Sequence, residues 1–169
     1  MHNRKKISFG LIGLTFYLLL FSACPLELSD KPGAKEYKEI TKGKSSDNSK
    51  MISRFENYPI EKQIDIFLFS DDPRFGPILA RGGQKNIESI VQKIENANTH
   101  MWDRCRLAEV LIRINSDCRC ITSDSDVIRR LESVRASSSN PSDRKNDAYM
   151  TTYIDSVSSL KNQFISVSK

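Results

Sequence analysis

Four side chains in the second half of this 169-residue chain carry soft-ligand or redox chemistry: His100, Cys105, Cys118 and Cys120. As a metal set they are poorly spaced. His-x4-Cys-x12-Cys-x-Cys matches no common zinc pattern. His100 and Cys105, five apart, diverge by about 140° around a helix. No metal and no cofactor is expected. Cys118-Arg119-Cys120 fits a redox relay no better, because the usual motif separates its thiols by two residues. A structural disulfide remains, since an oxidising compartment would leave one bond and one free thiol. If a helix over residues 100–115 ends at Asn115, Cys105 lies about 15 Å below that end. The returning chain spans about 10 Å to Cys118 and about 17 Å to Cys120. A disulfide needs Cα atoms within about 7 Å. The reach therefore predicts Cys105–Cys120.

Nucleophile–base catalysis has little to work with. Beyond His2, His100 is the only histidine, and no G-x-S-x-G, H-E-x-x-H or phosphate loop occurs. No catalytic residue is assigned and no enzymatic activity is expected. Asp71-Asp72 precedes Pro73, as in a capped turn. Arg81-Gly82-Gly83 could cradle an anion, but a helix C-cap explains both glycines. Trp102, beside Asp103 and Arg104, is either core at helical spacing or an exposed hot spot. It is the candidate partner-binding residue. Arg104, Arg106, Arg113, Arg119, Arg129 and Arg130 read as solvated faces between apolar stripes.

The elements that position these residues are helical. Ile60, Ile64, Phe67 and Leu68 share one helix face, with Pro59 at its start. A short turn of helix over 77–81 ends at Gly82-Gly83. Ile87, Ile90, Val91, Ile94 and Ala97 make a narrow stripe over 84–97. Leu107 to Ile114 is apolar on most sides, so the helix over 100–115 should be central. Ser123 and Asp126 resemble a capping box before a fourth helix bearing Val127, Ile128, Leu131 and Val134. Ser137 to Ser142 reads as a loop. Tyr149, Tyr153, Val157, Leu160 and Phe164 mark a fifth and longest helix. No segment alternates with a period of two. The fold class is all-α, five or so helices in antiparallel pairs. Ile90-Val91-x-x-Ile94 recurs as Val127-Ile128-x-x-Leu131, 37 residues on. That period resembles HEAT-like α-solenoid repeats, and an irregular helical bundle fits as well.

The amino terminus has a different character. Arg4, Lys5 and Lys6 precede an uncharged run from Ile7 to Phe21. A charged region followed by so short an apolar run reads as a signal peptide, because a spanning helix needs about 20 apolar residues. The run closes on Leu20-Phe21-Ser22-Ala23-Cys24. This resembles the lipobox of bacterial lipoproteins, with Phe21 where that family prefers Leu. The resemblance implies cleavage between Ala23 and Cys24, lipidation of Cys24, and anchoring in the cell envelope. Pro25 in place of Asp implies the outer membrane, facing the periplasm. Residues 24–50 carry few apolar side chains and read as a flexible tether reaching about 30 Å. The domain reading is thus 1–23 signal peptide, 24–50 tether and 51–169 helical domain.

The net charge of +5 raises nucleic acid as a partner. Removing residues 1–23 takes away Arg4, Lys5 and Lys6 and no acid, so the charge falls to +2. No nucleic acid is expected. The expected partners are the membrane, through Cys24, and another envelope protein. The leading expectation is a non-catalytic, lipid-anchored binding protein. The other classes are an immunity-type inhibitor of a periplasmic toxin, an enzyme acting on an envelope polymer, and a metal-binding lipoprotein.

Overall fold

The helix with apolar side chains on nearly every side is the one that packs most extensively against the rest. The computed structural model describes residues 30–42, 48–122, 125–137 and 147–163. Among these residues the chain forms eight helices and no strand. They are α1 (Ala34–Thr41), α2 (Asn48–Glu56), α3 (Ile60–Ser70), α4 (Phe75–Arg81), α5 (Gln84–Glu95), α6 (Met101–Cys118), α7 (Asp126–Ser137) and α8 (Asp147–Asn162). The signal peptide expected over 1–23, with Ala23, Cys24, Ser123 and Phe164, lies outside the described residues.

The all-α expectation holds. Helices α3, α5, α6, α7 and α8 stand where apolar side chains recur at helical spacing. The lone turn over 77–81 extends back to Phe75, because Phe75, Ile78 and Leu79 all reach the core. Asp71 ends α3 in the left-handed region, at φ 55° and ψ 15°. That is the turn expected at Asp71-Asp72-Pro73. Gly82 closes α4, as its place after Arg81 suggested.

The tether expected over 24–50 is corrected in its second half. Residues 34–41 are helical, and α2 begins at Asn48. Ala34 and Ile40 are buried, Tyr37 is half-buried, and α1 lies on α3. A helix of eight residues is not stable alone in water. Three side chains at 3-3 spacing suffice here because α3 supplies the apolar partner surface. In α2, Met51 and Phe55 are buried. The Phe55 ring stacks on Phe75 at 4.3 Å. The folded body therefore starts well before residue 51.

Helix α6 packs against α4, α5 and α8, while α5 also meets α7 and α7 meets α8. Leu107, Leu111 and Ile114 are fully buried in its middle. Tyr153 of α8 is also buried, and its hydroxyl donates to the Leu131 carbonyl at 3.0 Å. Burial pushes its phenol well above the usual range. Arg130 joins α7 to α5 through Glu88 at 2.9 Å and through Glu95. The guanidinium holds both carboxyls below their ordinary pKa.

Two of the arginines expected on solvated faces are buried instead. Arg104 and Arg106 are 8% and 9% exposed. Arg104 donates to the Asn96 carbonyl at 3.1 Å. Arg106 donates to the Phe67 and Leu68 carbonyls at 2.8 and 3.1 Å. The last carbonyls of a helix have no partner within it. An arginine from a neighbouring helix can serve them, and that need brings the charge inside.

Candidate binding groove

The α5–α6 connection is built from short polar side chains that bond their own backbone. Asn96 leaves the helical region as the C-cap of α5, at φ −60° and ψ 122°. Its side-chain oxygen accepts from the Asn98 N–H at 2.9 Å. The Thr99 hydroxyl donates to the Lys93 carbonyl at 2.7 Å. His100 then sets the N-cap of α6 in extended backbone. This loop, the start of α6, Lys31 and Pro32 ahead of α1, Lys93 of α5 and the second half of α3 line a groove of about 860 Å3.

The groove is chemically mixed. Leu68, Phe69 and Trp102 provide apolar wall, and Asn98, His100 and Asp103 provide polar groups. Lys93 is neutralised by Asp65, Nζ to Oδ1 at 2.7 Å. Lys31 and Asp103 leave the remaining charge balanced. Asp103 is half-buried and lies in no ion pair among the described residues. Burial raises its pKa, and the more distant charges of Arg106 and His100 only partly oppose the shift. Such a carboxylate makes a ligand's donor group welcome, because it has already lost part of its water.

Trp102 is 46% exposed. That exposure excludes the core reading of this residue. Its ring tilts against Tyr149, 40% exposed, with centroids 5.2 Å apart. Tyr149 was expected on the buried stripe of α8. Its backbone does meet α6, but its ring turns outward beside Trp102. The sequence placed Trp102, Asp103 and His100 next to one another, and that adjacency was the available signal. Nothing local announced that Leu68, Phe69 and Asp65 would face them.

Asp103→Asn tests the cost of holding this carboxylate. A raised pKa means that the ionised form is disfavoured in the folded chain. The penalty is complete above the folded pKa and disappears below the ordinary carboxylate range. The variant should therefore melt above the wild type at pH 7, and the gap should close as pH falls below about 4. Thermal unfolding across that range reads both effects. A gap that widens in acid would contradict the assignment.

The cysteines do not pair as the chain-reach argument predicted. Cys118 bonds Cys120, with Cα atoms 5.2 Å apart, and Cys105 is free and buried. The Cys105–Cys120 expectation assumed that α6 stops at Asn115 and doubles back. Instead α6 runs on through Cys118, and Arg119 turns into the left-handed region at φ 50°. That turn sets Cys120 beside Cys118, about 20 Å along the helix from Cys105. The Cys105 thiol donates to the Tyr149 carbonyl at 3.1 Å, and burial pushes its pKa up to about 11. It is a core residue. His100 is exposed while Cys105 is buried, so the two do not converge. Among the described residues, no three His, Cys, Asp or Glu side chains form a group that could hold a metal ion. Among the same residues, no helix is long and apolar enough to cross a membrane.

No protein-family model, curated protein or solved structure matches this chain.

Proposed function

We propose that the chain is a non-catalytic, lipid-anchored envelope lipoprotein whose helical domain binds another protein. The observation that carries the binding reading is exposed Trp102, which lines the groove and packs against the exposed Tyr149 ring. Large exposed aromatics cluster at protein interfaces, where they bury much area at small entropic cost. The anchor reading rests on the lipobox-like segment ending at Cys24. We further read α5–α6 and α7–α8 as two stacked, HEAT-like antiparallel pairs. In support, α5 meets α7 and α6 meets α8, as equivalent helices of neighbouring repeats do.

A photo-activatable residue at position 102, in cells producing the chain, tests the binding reading. It should give one discrete adduct that Tyr149→Ala removes, while the same residue at exposed position 85 gives none. No adduct at 102, or equal adducts at both positions, refutes it. Cys24→Ala tests the anchor separately, through lost palmitate labelling and release from the membrane fraction.

Asp103 favours a second reading, an enzyme acting on an envelope polymer, because an unpaired carboxylate with a raised pKa in a groove suits a general acid. Under that reading Asp103→Asn abolishes polymer cleavage. Under the first reading it leaves the adduct at 102 in place.

A further inference from the structure

We propose that Cys118 and Cys120 form a thiol–disulfide exchange site that accepts electrons from a protein dithiol. The inference depends on neither the lipid anchor nor the groove.

The bond does little for the fold. It joins residues two apart, so the loop it closes is among the shortest a disulfide can close. Stabilisation by a cross-link grows with loop length, and here it is minimal. The turn is also held without it. The Arg119 N–H donates to the Asn115 carbonyl at 2.8 Å. The Ile121 N–H donates to the Asn115 side chain at 2.7 Å, and Asn115 donates to Gln163 at 2.9 Å. Ile121 itself is fully buried. Both sides of the turn are pinned by these contacts, so opening the bond frees neither α6 nor the chain after it.

Cys118 is exposed and Cys120 half-buried, whereas Cys105 is sealed in the core. An incoming thiolate therefore meets Cys118 first. Exposed disulfides of this kind are the labile and catalytic ones, in contrast to buried structural bonds.

The step balances without a further reagent. A partner thiolate attacks Cys118 Sγ, forming a mixed disulfide and breaking the Cys118–Cys120 bond. The electron pair leaves on Cys120 Sγ, which takes a proton from water. The partner's second thiolate then attacks the partner sulfur of the mixed disulfide. The partner closes to a disulfide, and Cys118 leaves as thiolate and is protonated. Two partner thiols are oxidised, and one cystine is reduced to two thiols.

The test uses the full chain in detergent, with glutathione as the probe. Samples equilibrated at graded ratios of reduced to oxidised glutathione are quenched in acid and alkylated, and peptide mapping assigns each cysteine. The pair should open within that range while Cys105 stays unmodified, and the thermal midpoint should fall by less than about 3 °C. A pair that stays closed at the most reducing ratio overturns the proposal. So does an opening that lowers the midpoint by more than this, since the bond would then be structural. In a second arm, Cys120→Ser should form a glutathione adduct on Cys118 at least tenfold faster than Cys118→Ser forms one on Cys120. Equal rates would remove Cys118 as the attacked sulfur and overturn the proposed order.

Discussion

Arg106→Met should lower the stability of the folded chain by about 3 kcal/mol, through the carbonyls it leaves behind. Methionine keeps much of the apolar volume, so the loss reports the polar contacts. Three interactions converge on the guanidinium. It lies 4.3 Å above the Phe67 ring, pairs with Asp71 at 3.0 Å, and donates to the Phe67 and Leu68 carbonyls. Their weights differ. The Asp71 side chain is 73% exposed, so its pairing is screened and contributes little. The ring contact adds about 1 kcal/mol. The carbonyls dominate, because hydrogen bonds to a charged donor contribute about 1.5–3 kcal/mol and the Phe67 carbonyl is away from water. They also sit at the C-terminal end of α3, where a cation is favoured by the helix dipole.

Arg106→Lys should recover less than half of the loss. One ammonium cannot bond two successive carbonyls and stay flat on an aromatic ring. Exposed Arg113→Ala is the control, and should stay within about 0.5 kcal/mol of wild type. Chemical denaturation of the three variants measures all of this. If Arg106→Met costs no more than Arg113→Ala, the bond between α3 and α6 is not what holds them.

Gly33→Ala should detach α1 from the body while leaving the rest folded. Gly33 has φ 82° and ψ −13°, a region that costs an L-residue about 1–2 kcal/mol. A Cβ there would also stand 2.3 Å from the Asp65 carbonyl oxygen and 2.7 Å from the Ile66 nitrogen. Both are backbone atoms inside α3, so they cannot swing aside. The start of α1 must lift away instead.

The rest of α1 is held by a few contacts. Tyr58 donates to Glu39 at 2.9 Å, Arg54 to the Lys42 carbonyl at 3.1 Å, and Lys62 pairs with Glu36 at 2.8 Å. All are solvent-accessible and individually weak. Together with Ile40 and the Tyr37 ring, which meets Phe69 and Phe75, they resist a cost of about 2–4 kcal/mol poorly, so the damage stays local. Hydrogen exchange across 34–41 should accelerate at least tenfold, while exchange in the middle of α6 is unchanged. In a flexible tether the same substitution would do nothing. An unchanged exchange pattern would therefore restore the tether over all of 24–50.

Much of the fold was legible because it is local. The stripe Ile87, Ile90, Val91, Ile94 specifies one face of α5, and all four side chains are buried. Leu107 to Ile114, apolar on most sides, marked α6 as the centre. Gly82 after Arg81 marked the end of α4. Each of these signals lies within a turn or two of helix, where spacing alone decides which side chains share a face.

The remaining features depend on partners far away in sequence. Helix α1 exists because α3 receives it, and Ala34, Tyr37 and Ile40 are too few to read as a stripe without that partner. Arg104 and Arg106 have the composition of surface residues. They are interior because the chain brings carbonyls from the ends of neighbouring helices to them, in the case of Arg106 from 38 and 39 residues away. The cysteine pairing turned on one turn of extra helix and a left-handed Arg119, which no count of residues contains. Trp102 is exposed beside the ring of Tyr149, 47 positions on. The helical class, the succession of the longer helices and their buried faces thus follow from spacing within the chain. The groove, the disulfide and the buried arginines follow from which surfaces meet, because a polar or aromatic side chain takes its place from the neighbour that satisfies it.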